Sequence, residues 1–192
     1  MTRPEGADER ITELALAAGA GDRRALEQFV RATQRDVWRF VAHLADPAAA
    51  DDLAQETYLR ALRGLPGFAA RSPARAWLLA IARRVVIDQI RAARARPRIS
   101  ATVDWLRAAD AAGQHAGTGF EDLVELNLLL AGLPRERREA LVLTQVLGLS
   151  YADAAQVCGC PIGTVRSRVA RAREDLLRTD DEARTGDGAT DR

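Results

Sequence analysis

The chain contains no lysine: its 28 basic residues, in a length of 192, are all arginine. That fits a GC-rich coding bias, and no function is read from it. Cysteine occurs only as Cys158 and Cys160. Two thiols one residue apart cannot staple a fold and are too few for a structural zinc site, so they read as buried or half-buried side chains. Histidine is equally scarce, with His43 inside an apolar helical pattern and His115 far from it. No Ser-His-Asp or Cys-His set, glycine-rich phosphate loop or metal-ligand spacing occurs. Asp51, Asp52 and Glu56 lack further ligands to complete a metal site. The expectation is a protein without catalysis, metal or cofactor. No apolar run approaches the roughly 18 residues that span a bilayer. The opening MTRPEGADER lacks the hydrophobic stretch of a signal peptide, so a cytoplasmic protein with no membrane contact is expected.

Apolar residues make up 47% and charged residues 29%, which suits a soluble globular chain. The length allows one ordinary domain or two small ones. Net charge is only +1, but it is unevenly spread. Eight arginines fall between Arg71 and Arg98 against the single acid Asp88, and five between Pro161 and Arg178 against Glu174 and Asp175. The stretch from Thr179 to Arg192 holds five acids and two arginines. Two basic segments in a nearly neutral chain suggest two contacts with a polyanion. The plainer reading of either segment alone is a solvated helix face.

Helical periodicity dominates, and strand-like alternation is nearly absent. A first helix is predicted from Asp8 to Ala18. A second is capped by Asp22 and stops at Asp46-Pro47, and a third runs from about Asp51 to Leu65. GLPGFAARS reads as a loop, after which Ser72 offers an N-cap with Pro73 in the first turn. The fourth helix then reaches about Arg96. Residues 98–119 are rich in Ala, Gly and Asp and read as a linker. Phe120 to Leu133 forms the next helix, and Pro134 opens another that ends at Gly148. Ser150 and Asp153 resemble a capping pair for a short helix, Tyr151 to Val157. Pro161 starts a last helix reaching about Leu177. The fold class is therefore all-α: two small helical bundles, 8–97 and 120–178, joined by a flexible linker and followed by a mobile acidic tail, 179–192.

The short helix, the turn Cys158-Gly159-Cys160 and the last helix make a helix-turn-helix pattern. At 100° per residue, Ile162, Val165, Val169, Ala172 and Leu176 share a packing stripe. Gly163, Thr164, Ser167, Ala170 and Arg171 lie opposite, with Arg166 and Arg168 on the flanks. Small residues let such a helix approach base edges, and Arg171 can fork onto a guanine. The flanking arginines can reach phosphates, which position the helix without reading sequence. The alternative is a helical hairpin with an exposed basic face.

These segments have recognisable wording. GLSYADAAQVCGCPIGTVRSRVARAREDL resembles region 4 of the extracytoplasmic-function (ECF) sigma factors, DDLAQETYLRAL their region 2.2, and ARAWLLAIARRVVIDQIR their regions 2.3 to 2.4. The resemblance covers about residues 10–96 and 120–178, in the family's order. It implies an alternative sigma factor that binds core RNA polymerase, through the β′ coiled coil and the β flap, and directs initiation on double-stranded and melted promoter DNA. It also allows an anti-sigma partner. On this basis Asp52, Gln55, Glu56, Leu59 and Arg63 form the polymerase-docking face, with Ala54, Tyr58, Ala61, Leu62 and Leu65 turned to the core. A leucine among acids on an outer face suits a partner helix that is basic with apolar spots. Phe68, Arg71, Ser72, Arg75, Arg83, Arg84 and Arg91, with Arg94 beside them, are the minus-10 candidates, and Trp77 reads as core. Many relatives carry asparagine where Arg84 stands, which bears on base choice. Thr164, Arg166, Ser167, Arg168 and Arg171 are the minus-35 set, with Ala170 where some relatives have a large aromatic. The rival reading is a stand-alone helix-turn-helix regulator. It lacks an explanation for the basic helix and the acidic-apolar face of the first half.

Overall fold

A computed structural model of the chain describes residues 6–45, 47–95 and 120–187. Among them the regular structure is helical: α1 (Ala7–Gly19), α2 (Arg23–Leu44), α3 (Ala50–Gly64), α4 (Ala74–Ala95), α5 (Phe120–Ala131), α6 (Arg135–Leu141), α7 (Tyr151–Cys158) and α8 (Ile162–Asp187). The expected linker, 98–119, lies outside the described residues.

Local chemistry sets the helix ends. Asp22 Oδ1 accepts from the Arg24 and Ala25 amides at 2.8 and 3.1 Å, which caps α2 as its sequence requires. Asp22→Ala should lower stability by about 1 kcal/mol, measured by urea unfolding. At α4 the expected cap is displaced. The Ala74 amide donates to the Thr12 hydroxyl of α1 at 3.1 Å, and the first carbonyl to enter the helix ladder is that of Pro73, bonded to the Trp77 amide at 3.0 Å. A tertiary neighbour thus takes the place assigned to Ser72.

The segment after Pro134 is α6 followed by a π-helical stretch, Val142–Val146. It closes where Gly148 turns to φ 69°, with the Leu149 amide bonded to the Leu143 carbonyl at 2.9 Å. Only glycine adopts that conformation without steric cost. At α7, Ser150 Oγ accepts from the Asp153 amide at 3.0 Å, as expected of the capping pair. Gly159 ends the helix at φ 64°, and the Cys160 amide returns to the Ala155 carbonyl at 3.1 Å. The last helix runs to Asp187, ten residues beyond the sequence expectation; that expectation ended the helix with its apolar stripe.

In the first half, Phe29, Val37, Phe40 and Val41 of α2 pack with Leu78, Leu79, Val85 and Val86 of α4. α1 comes close at its end: a Cβ on Gly19 would lie 2.5 Å from the Leu65 carbonyl oxygen. In the second half, Leu130, Val142, Leu143, Val157, Val165 and Val169 are buried. The two halves also pack on each other, chiefly α4 against α7. The Arg75 guanidinium donates to the Leu147 carbonyl at 2.5 Å, Arg83 pairs with Glu139, and His43 Nδ1 meets Asn127 Oδ1 at 2.5 Å. The sequence expectation, two bundles on a loose connector, did not include this contact.

Candidate nucleic-acid interface and docking faces

Val165, Val169 and Ala172 bury the inner stripe of α8. Gly163, Arg166, Ser167, Ala170 and Arg171 are exposed, while Thr164 and Arg168 are half-buried. Ile162 departs from the expected stripe: it is 40% exposed. The Arg166 guanidinium carbon sits 6.0 Å from the centre of the Tyr151 ring, within cation–π range. Arg168 Nη1 lies 3.6 Å from Cys160 Sγ. Arg171 projects from the open face with Ser167, whose hydroxyl is held by the Thr164 carbonyl at 3.0 Å. The arrangement presents a small, basic surface one helix wide. Cys158 is buried, and that burial pushes its thiol up to about 12, leaving it inert as a thiolate.

The minus-10 candidates divide into two groups. Arg71, Arg84 and Arg91 are exposed, and Ser72 is half-buried. Phe68 packs on Trp77 with ring centroids 4.9 Å apart, so both rings lean on the core edge. Between Phe68 and Arg71, Ala70 holds φ 50°, the only positive value at a non-glycine among the described residues. Arg75 and Arg83 depart from the expectation of free cations. Arg75 is only 3% exposed, bonded to Asp36 at 2.7 Å and to the Leu147 carbonyl. Arg83 is engaged by Glu139, which is 2% exposed. Burial raises the Glu139 carboxyl above its ordinary range, with the Arg83 bond pulling the other way. Helix periodicity places arginines on an arc but cannot say that a second bundle covers part of it. The side chain of Arg94 lies outside the described residues.

The core stripe of α3 is Leu53, Thr57 and Ala61, continued by Leu65 just past its end. Ala54 and Tyr58 flank it, half-buried; the Tyr58 hydroxyl, 2.8 Å from that of Thr33, is raised to about 12 by burial. Leu62, expected in the core, is 41% exposed, because the true stripe is rotated by one residue. Asp52, Gln55, Leu59 and Arg63 are exposed and Glu56 half-exposed, with Leu59 at 45%. Two leucines therefore stand on the open side of α3. Arg60 donates to Glu56 at 2.7 Å and to Asp88 of α4 at 2.6 Å, bracing the acidic edge against the basic helix.

One surface went unnoticed in the sequence. Leu128, Leu129, Leu133, Pro134 and Leu176 line an open groove between α5 and α8, bordered by the Arg137–Asp175 ion pair. The hydrogen bond from Arg137 is the main cause that holds the Asp175 carboxyl below its usual range. Leu128 and Leu129 are 60% and 56% exposed. The run LNLLLAGL carried the signal, since it has more leucine than one packing stripe accommodates. Among the described residues no helix is long and apolar enough to cross a membrane.

Family comparisons agree with this arrangement. Residues 29–96 match the family model "Sigma-70 region 2", and residues 123–176 match "Sigma-70, region 4". The chain is 59% identical over 177 residues to the "ECF RNA polymerase sigma factor SigC" of Mycobacterium tuberculosis and to the "Probable RNA polymerase sigma-C factor" of Mycobacterium bovis, covering 92% of this chain and 95% of each relative. Among solved structures, it superposes on CnrH in complex with the cytosolic domain of CnrY with a TM-score of 0.68 and 28% identity, over 91% of this chain and 98% of that one. The sigma factor RpoE of Bartonella quintana, solved with the anti-sigma factor NepR, gives 0.61 and 28%, over 81% and 98%. With two family regions in order and a relative this similar along nearly its whole length, the chain belongs to the sigma-70 family of RNA polymerase sigma factors, in its ECF branch.

Proposed function

We propose that this sigma factor divides its work among three surfaces. The α3 face of Asp52, Gln55, Glu56, Leu59 and Arg63, extended by Leu62, docks on the β′ coiled coil of core RNA polymerase. The groove of Leu128, Leu129 and Leu176 receives an apolar helix of the β flap. Thr164, Arg166, Ser167, Arg168 and Arg171 read the minus-35 element in the major groove. For the minus-10 strand, Arg71, Arg84 and Arg91 supply phosphate contacts. Phe68 and Ser72 border the loop that would hold an extruded base, whose extraction costs a few kcal/mol. Arg83 joins them once released from Glu139, whereas Arg75 serves the packing. The domain scheme is region 2 over 8–97, a linker over 98–119, region 4 over 120–178 and a tail over 179–192. An anti-sigma partner fits the same reading, since both solved relatives are held in complexes.

The observation that carries the minus-35 assignment is the open arc of α8, where Arg171 stands clear beside small side chains. Arg171→Ala should flatten preference among minus-35 sequences by about 1–3 kcal/mol at one base position. Arg168→Ala should weaken all sequences evenly and reduce the salt slope by about one unit. Fluorescence anisotropy with holoenzyme on a panel of single-base promoter variants separates the two. An equal loss on every sequence from Arg171→Ala would refute the groove assignment. In vitro transcription from a genomic fragment library, with core polymerase plus or minus this chain, tests the function as a whole.

A further inference from the structure

The packing of the second half on the first engages α4 through Arg75 and Arg83, and it contains a buried histidine. His43, at the end of α2, is 1% exposed. Its Nδ1 lies 2.5 Å from Oδ1 of Asn127 on α5, and Asn127 Nδ2 leans toward the Ala42 carbonyl at 3.4 Å. An amide oxygen only accepts, so Nδ1 carries the ring's single proton and Nε2 is a bare lone pair. Nε2 is buried and has no hydrogen-bond partner among the described residues. A second proton would have to enter there, with no acceptor to receive it.

Among the described residues, the charged groups that act on the ring are both cations, Arg39 from α2 itself and Arg138 from α6. Desolvation is the larger influence, and with those guanidinium groups it lowers the imidazole below its ordinary range, against the pull of Asn127.

We propose that the His43–Asn127 contact makes the packing between the two halves sensitive to protons, so that acidification opens it and frees Arg83 for the promoter strand. This rests on the reading of α4 as the helix that meets minus-10 DNA, but the opening itself is a property of the free protein. The sign follows from linkage. In the closed form the ring resists protonation, and in the open form it regains its ordinary value near 6.5. The open form therefore binds more protons, and the closed form loses ground as pH falls through about 6.5. One proton allows at most a tenfold change per pH unit, so the open-to-closed ratio rises by up to about tenfold between pH 7.5 and 5.5. Glu139 works in the opposite sense, because its carboxyl is raised in the closed form. It opposes the opening between the ordinary glutamate value and the raised one, so the His43→Gln comparison, which leaves Glu139 in place, isolates the histidine.

The test is small-angle scattering with amide hydrogen exchange on the full chain between pH 7.5 and 5.5. The expected result is a growing radius of gyration and faster exchange in α4 and α7 at the acid end, with both responses flattened in His43→Gln. NMR titration of the wild type gives an independent readout, since only one other histidine, His115, has to be told apart by assignment. His43 should titrate below the ordinary imidazole value near 6.5. An ordinary titration of His43, or the same acid opening in His43→Gln, would overturn the proposal. Both readouts omit polymerase and DNA. If the promoter assignment of α4 failed, Arg84→Ala would leave holoenzyme binding to melted DNA unchanged while these pH responses persisted.

Discussion

Core RNA polymerase should retain little of the Glu56→Arg, Leu59→Ala double variant in a pull-down that captures the wild-type chain fully. Leu59 is an exposed apolar anchor, and Glu56 supplies charge beside it. Such central contacts often carry 2 kcal/mol or more each, so affinity should fall by about 2–4 kcal/mol, roughly thirty- to a thousandfold. Fold stability should hardly move. Leu59 leaves no cavity because it contacts solvent, and the Glu56–Arg60 pair is an exposed i,i+4 bridge worth only about 0.3–0.5 kcal/mol. Arg60 keeps Asp88 in either case. Undiminished capture, with an unchanged unfolding midpoint, would remove α3 as the docking face.

The second large effect separates two arginines of the same helix. Arg75→Ala should destabilise the protein by about 3–5 kcal/mol, the usual cost of removing one partner from a buried ion pair. The guanidinium bridges Asp36 of α2 to the Leu147 carbonyl, and Asp8 of α1 lies 3.9 Å away, so its loss reaches three packed segments. Arg84→Ala removes an exposed side chain and should change stability by no more than about 0.5 kcal/mol. Its effect should appear instead as weaker binding of melted minus-10 DNA by holoenzyme. Denaturant unfolding and DNA anisotropy on both variants check the pair. A stable Arg75→Ala protein would show that the buried bridge is not structural.

Caps, turns and helix positions were legible in the chain because they depend on neighbours within a few residues. Asp22, Ser150 with Asp153, Gly148 and Gly159 act where their local chemistry requires. The α8 stripe was also readable, with the error confined to Ile162 in its first turn, which stands exposed ahead of the buried Val165, Val169 and Ala172. On α3 the pattern was ambiguous. Leucine and alanine occupy several adjacent arcs, and only packing showed that Leu53 and Thr57 face inward while Leu62 does not.

What composition and periodicity determined was therefore the class of the protein: helical bundles, a basic helix-turn-helix and a second basic helix. What tertiary structure alone decided was which of those charges are free. Arg75 and Arg84 look alike along the chain, yet Arg75 is 3% exposed and Arg84 faces solvent. The difference comes from residues distant in sequence, Asp36 and Leu147, which place a carboxylate and a carbonyl against Arg75 and leave Arg84 untouched. Helical spacing specifies the direction of a side chain about its own axis. Whether that direction meets water or another helix depends on long-range packing, which no local pattern encodes.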